Sequence, residues 1–436
     1  MTAASQRLQL VTGMMSPLEI GRSPPRWIFG ELLADKKIDF FRPLVAQHRL
    51  LSFEYNVMCT QLMHDFYRDK ADADELTNQL IAALEMAELL THLFRDYLAV
   101  PREVLRLQKE QKIYRELLMK RGFQFDAMVE YQEKQDWITQ GIRNFTANSN
   151  WLRLILVRSK RVLETVVPLV SHLPYKEFVK QLDKFTGPVF SYLSWLFFIP
   201  RLSANLFVLC KHLIAGSGQE KELGLLEQSS AQLQRRWFEI GNDSAWMTAG
   251  ILGCFVWLGP LAPIGVYINV ALFGYDVALA SIRAAHEIGH LKKLQAEYKD
   301  MELQMLQNHA PPEELDEIRR FQQHLNDRVV FEQKRLLLAV ANTVLLAIAI
   351  LLCLPSALAM TPILPLIGTS LLVLTTIATF SLTQALEAHR PKSSVDQLTY
   401  TENTVFSNSK VTFFQPKSTS QTDEPSLDGD KSFSML

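Results

Sequence analysis

The chain is poor in cysteine, in net charge of either sign, and in the alternating polar and apolar runs that mark strands. Its four cysteines, Cys59, Cys210, Cys254 and Cys353, contain no Cys-x-x-Cys pair, which excludes a zinc knuckle or a thiol-exchange motif of that spacing. Three of them sit in apolar runs, where a free thiol packs as a small hydrophobe. The 45 basic residues are matched by 46 acidic ones, for a net charge of -1. Nucleic-acid binding needs clustered positive excess, so it is excluded as the expected function. The opening MTAASQRLQLVTGMMSPLEI lacks an apolar run of the roughly 7 to 15 residues a secretory signal uses, so membrane insertion is expected to rely on internal segments.

Charge is also missing over two long blocks. Ser244 to Ile282 carries one formal charge, Asp276, and Leu336 to Ala385 carries none. A spanning helix needs roughly 20 residues, so each block has room for two. Gly259-Pro260-Leu261-Ala262-Pro263 breaks the first, and Pro355, Pro362 and Pro365 break the second, because proline lacks the helical donor and clashes with the preceding turn. The expected spans are 244–260 and 263–282, then 336–354 and 363–384. Arg235, Arg236, Arg283, Lys292, Lys293, Lys334, Arg335, Arg390 and Lys392 flank them on one side, while the two far turns are uncharged. Cationic flanks stay cytoplasmic, which implies two hairpins with the charged segments on the cytoplasmic face of an integral membrane protein.

Phe185 to Ile214 is apolar and aromatic but split by Pro200-Arg201. Each half is too short to span, so 185–215 is read as a re-entrant or interfacial segment with Tyr192 and Trp195 at headgroup level and Arg201 snorkelling. The alternative, one true span, would move residues 1–184 across the bilayer. Residues 216–243 form an amphipathic connector.

Helical periodicity dominates the polar parts. Ile288, Leu291, Leu294, Tyr298, Met301 and Met305 recur three or four apart, then Asn308 to Pro312 breaks the helix. Glu313 and Glu314 after Pro311-Pro312 suit a new first turn, whose stripe is Leu315, Ile318, Leu325 and Val329. Residues 283–335 are therefore expected to form an antiparallel coiled-coil stalk. Upstream, Leu76, Leu80, Ala83, Ala87, Leu90, Phe94 and Tyr97 make a stripe that ends before Pro101. Further helices are expected over 103–120, 124–142 and 150–172, with Asn144 to Asn150 as a linker, giving a water-exposed helical bundle over 1–184. Beyond residue 386, Ser, Thr, Asp and Lys dominate and disorder is expected.

One motif looks catalytic. His286-Glu287-Ile288-Gly289-His290 matches H-E-x-x-H, in which the two histidines share a helix face to bind zinc and the glutamate takes a proton from metal-bound water. Under that reading His286 and His290 are metal ligands and Glu287 the general base of a membrane metalloprotease. The third ligand is missing, and Glu387 is the only tempting glutamate after the second hairpin. The bland reading, two solvated histidines on a helix face, is preferred, with no cofactor and no catalytic residue. Asp276, two turns inside its span, raises ion or solute transport, against a structural reading in which it meets water or pairs with Arg283. Asn269, Asn342, Thr369, Thr375, Thr376 and Thr379 are expected to hydrogen-bond between helices.

The runs FFIPRLSANLFVLCKHLI, QLQRRWFEIGND and YDVALASIRAAHE, within about residues 185–300, resemble multi-pass, coiled-coil membrane proteins of Legionella-type intracellular bacteria, a group with no assigned active site. HEIGH separately resembles the zinc helix of membrane metalloproteases. The first resemblance implies export by a type IV system, for which the acidic tail with Phe433 would serve as signal. The chain is thus read as an all-α membrane scaffold, its partners the lipid bilayer and proteins bound through bundle and stalk. The alternatives are a zinc protease and a small transporter.

Overall fold

The computed structural model describes residues 3–13, 26–68, 73–126, 137–167, 176–215, 225–354 and 363–391, together with 356, 359, 361, 393, 395 and 398. Every regular element among them is helical; the one strand-like pairing there is an isolated bridge between Arg26 and Gln124.

The N-terminal bundle comprises α1 (Ala3–Thr12), α2 (Phe29–Ala34), α3 (Ile38–Ala46), α4 (His48–Phe66), α5 (Ala73–His92) and α6 (Pro101–Met119). α5 begins with Asp74 and Glu75 at the positive end of its dipole. Its expected stripe is buried, and so is nearly every residue from Gln79 to Thr91, which makes α5 the central helix. It widens into a π turn at Leu93–Tyr97. Ala99 then adopts a left-handed φ of 45°, and Pro101 starts α6 in the position where a missing N–H costs nothing.

α7 (Trp137–Val166) runs straight through residues 144–150, so the expected linker is wrong and two expected helices are one. Asn, Ser and Thr cost about 0.5 kcal/mol each in a helix, a penalty that packing overrides: Trp151 of α7 stacks on Phe380 at 4.4 Å. Residues 127–136 of the expected 124–142 helix lie outside the described residues. The 185–214 segment is two helices, α8 (Lys176–Leu196) and α9 (Phe198–Ala215), broken at Phe197.

Among the described residues three helices are long and apolar enough to cross a membrane: Gly259–Gln307, Pro312–Leu352 and Ile363–Ala388. They correspond to α11 (Ala262–Gln307) with the turn before it, α12 (Pro312–Leu352) and α13 (Ile363–Ala388). The first expected span, 244–260, falls on α10 (Leu225–Phe255), whose helix stops at Phe255. α10 folds back antiparallel on α11: Trp246 meets Phe273 edge-to-face at 5.2 Å, and Arg283 lies 4.8 Å from the Phe238 ring. α12 and α13 pair likewise, with Thr379 donating to Asn342 Oδ1 at 2.8 Å. They approach closely at Gly368, where a Cβ would meet Ala349 O at 2.6 Å and Cys353 Sγ at 2.7 Å.

α11 has 46 residues and α12 has 41, so at 1.5 Å per residue they extend about 69 and about 62 Å, enough for a span and a long polar extension without a break. The extensions pair antiparallel: Tyr298 stacks on Phe321 at 4.6 Å, Gln295 meets Asn326 at 3.1 Å and Arg319 meets Glu302 at 2.9 Å.

They do not form the expected free stalk. Leu291, Leu294, Tyr298, Met301, Met305, Ile318, Phe321, Leu325 and Val329 belong to one buried core with residues of α1 to α6. The stripe that was read as a two-helix seam is broad enough to serve the bundle as well. Cross-links at the periphery agree: Arg7 bonds Glu297 at 2.5 Å, Gln61 bonds Glu317 at 3.4 Å, and Arg320 bonds Glu75. The chain after α13 returns to the same core, burying Val395 and Leu398, so the expected disorder from 386 is corrected to that extent. Residues 399–436, with Phe433, lie outside the described residues.

Candidate functional site

The histidine motif lies in the unbroken middle of α11. His286 and His290 face each other across one turn, Nε2 to Nε2 at 3.2 Å, and are exposed. That separation suits two ligands of one metal, since bonds of about 2.0 Å at a tetrahedral angle put the nitrogens about 3.3 Å apart. The remainder of a protease site is lacking. Among the described residues no group of three His, Cys, Asp or Glu converges on a possible metal position. Glu287 is held by Arg283 at 2.9 Å and lies 3.6 Å from Arg49 of α4, so it secures α11 to the bundle.

Asp276 is 2 % exposed and, among the described residues, accepts only the Trp246 indole N–H, at 3.2 and 3.0 Å to its two oxygens. It does not pair with Arg283. The two residues are seven apart, about 10 Å along the axis, and Arg283 takes the nearer Glu287 at i+4. A second buried carboxylate went unnoticed in the sequence: Asp243 of α10, fully buried, forms a two-point ion pair with Arg201 of α9. Beside it Asn205 donates to Glu239 at 3.1 Å. Arg201 had been read as snorkelling; a lone arginine inside an apolar segment was the available signal that a buried acid waits elsewhere.

α7 brings a further cation against the apolar helices. Arg158 is buried and donates to Thr376 of α13, and Arg153 lies 5.0 Å from the Phe197 ring and 5.3 Å from that of Phe198. Of the residues expected to bond between helices, Thr379 with Asn342 does so, and Thr376 does so by accepting from Arg158. Thr369 bonds carbonyls of its own helix, at Pro365 and Leu366.

Several acids are buried in the bundle core, and three of them show how such groups are held. Glu54 meets Arg7 at 3.1 Å, Glu88 meets Arg115 at 2.5 Å and the Trp27 indole at 3.0 Å, and Glu110 accepts from Tyr55 at 2.6 Å. Cys59 sits within 3.3 Å of the Tyr114 hydroxyl, and burial, followed by the charge of Glu110, pushes its thiol up to about 12. A thiol so protonated is not a nucleophile. These groups tie α4, α5 and α6 together rather than line a reaction chamber.

No family model, curated protein or solved structure matches the chain. Its chemistry is therefore carried by this geometry alone: an unconverged histidine pair, polar groups consumed in helix-to-helix ties, and a helical body continuous with membrane-length helices.

Proposed function

We propose that the chain is a multi-pass membrane scaffold that holds a rigid helical bundle at the membrane surface and presents it to protein partners. The observation that carries this reading is the continuity of α11 and α12: the same helices supply the apolar spans and nine residues of the bundle's core. A bundle built in this way cannot rotate freely on a flexible tether, and its position over the bilayer is set by the spans. The cationic flanks of the apolar helices support a cytoplasmic position for the bundle. α8 and α9 leave Phe185, Tyr192, Leu196 and Phe207 exposed, a pattern suited to an interfacial layer beside the spans.

The test uses the full chain in membranes, with a photo-crosslinking residue at Tyr67 or Met119 on the bundle surface. Protein adducts at these sites, and their absence with the label at membrane-facing Leu374, are the expected result. Asp276 is the observation that favours transport instead: proteoliposome flux abolished by Asp276→Asn would replace the scaffold reading. Stoichiometric zinc lost in His286→Ala would replace it with the protease.

A further inference from the structure

A cavity of about 430 Å³ opens where α12 meets and α13 leaves the charge-free block, bounded also by α4. Lys334 and His389 line it, with His324 and Asp327 deeper along α12 and Phe331 and Leu386 forming an apolar wall. Lys334 stands two residues before the start of the charge-free block at Leu336, and His389 four residues beyond its end at Ala385. On the membrane reading, which this inference requires, the lower part of the cavity therefore lies at the boundary between lipid and water.

Within the lining Lys334 and Asp327 balance in formal charge, and the positive excess around it comes from Arg328, next to Asp327 in the chain, and Arg390, next to His389. Lys334 has no carboxylate within ion-pair distance among the described residues, whereas neighbouring Arg335 is satisfied by Glu332 at 2.9 Å. Arg328, on the same helix, is 4 % exposed and lies 5.7 Å from the Phe53 ring, and its Nε and Nη1 find no acceptor. Arg390, between two cavity-lining residues, adds a further cation, with Glu387 at 3.8 Å as its partner. Burial and then the charge of Arg390 push the Arg328 guanidinium down to about 10. A buried guanidinium without acceptors is costly, and a nearby anion relieves that cost. Basic pockets beside spans at the cytoplasmic surface have the chemistry to take phospholipid headgroups, and the Phe331 and Leu386 wall suits the glycerol and first acyl carbons of such a molecule.

We propose that this cavity binds the phosphate group of an anionic phospholipid from the leaflet facing the bundle, with Lys334 and His389 at the phosphate and Arg328 and Arg390 supplying the surrounding positive potential. The lipid then fixes the height of the bundle over the bilayer and makes its seating depend on leaflet composition.

The experiment places the full chain in nanodiscs of phosphatidylcholine, alone or doped with phosphatidylglycerol, confirms incorporation by flotation, and counts retained lipids by native mass spectrometry. The expected result is preferential retention of phosphatidylglycerol, reduced about fivefold by Lys334→Gln and unchanged by Lys293→Gln, whose side chain is 74 % exposed. Arg328→Gln is expected to reduce retention too. Because that variant risks misfolding, the Lys334 variant decides. Equal retention of both lipids, or wild-type retention by Lys334→Gln, overturns the proposal. So does a thermal shift from inorganic phosphate in phosphatidylcholine discs as large as that from phosphatidylglycerol, which marks a free-anion site. A chain that fails to float refutes the membrane reading; one that floats without lipid preference refutes only this site.

Discussion

Replacing Phe321 with alanine probes the joint between the membrane-length helices and the bundle. The ring is fully buried, stacks on Tyr298 at 4.6 Å, and sits in the core shared by α11, α12 and the N-terminal helices. Phe→Ala in a packed core costs about 3 to 5 kcal/mol, from lost transfer energy and the cavity left behind. Part of this falls on the pairing of α11 with α12, and part on the seating of α1 to α6. For a domain of roughly 150 to 250 residues each kcal/mol moves the midpoint about 2 to 4 °C, so a drop of about 6 to 20 °C is expected. Thermal unfolding of the full chain in detergent, read by tryptophan fluorescence, gives the midpoint, and limited proteolysis of the same sample shows whether the N-terminal helices are released. Leu303→Ala, at a side chain 49 % exposed on the same pair of helices, is the control and should change little. If Phe321→Ala lowers the midpoint no more than Leu303→Ala, the two helices stand apart from the bundle and the shared core is wrong.

Further outcomes follow from the buried acid and the close helix contact. Glu54 is 1 % exposed, and burial pushes its carboxyl from 4.5 up to about 7 despite Arg7 at 3.1 Å. The folded chain therefore holds a proton that the unfolded chain has released: this group's contribution is full below about pH 4.5 and is lost as pH rises to about 7, by up to about 3 kcal/mol. Thermal midpoints should fall between pH 5 and pH 8 in the wild type and fall less in Glu54→Gln; parallel curves for the two proteins would refute the assignment. Gly368→Val should destabilise the α12–α13 hairpin by about 1 to 3 kcal/mol, because the added carbon meets the Ala349 carbonyl, a backbone atom that cannot rotate away. An unchanged midpoint would show that the helices are further apart than described.

Much of the architecture was legible because long apolar runs and helix periodicity leave strong local marks. The charge-free blocks, the proline breaks, and the stripes from Leu76 to Tyr97 and from Leu291 to Met305 could all be read from windows of a few turns. What could not be read was which stripes meet. Arg7 and Glu297 lie 290 residues apart and Gln61 and Glu317 lie 256 apart, and no local pattern encodes such a pairing. The 144–150 run failed for the opposite reason: its composition favours a turn, but packing of α7 on α13 outweighed the propensity. The histidine motif was legible as a pattern, yet its meaning depended on neighbours. Arg283, one turn before Glu287, was visible in the sequence, whereas Arg49 was brought in by the fold. Arg201 and Asp243 were each conspicuous, and only the antiparallel packing of α9 on α10 made them one ion pair.

The side of the membrane on which each end of α11 lies tests the central claim most directly. In a chain with its four cysteines changed to serine, a single cysteine is placed at Leu258, before the apolar half of α11, or at Leu303, in its polar extension; both positions are exposed, at 57 % and 49 %. Sealed vesicles holding the chain in one orientation are treated with a membrane-impermeant maleimide before and after permeabilisation. The account predicts that the two cysteines label from opposite sides, with 303 on the side where antibody reaches the N-terminal bundle. Labelling of both from the same side, without permeabilisation, would contradict a helix that runs from one face of the bilayer into the core of the bundle on the other.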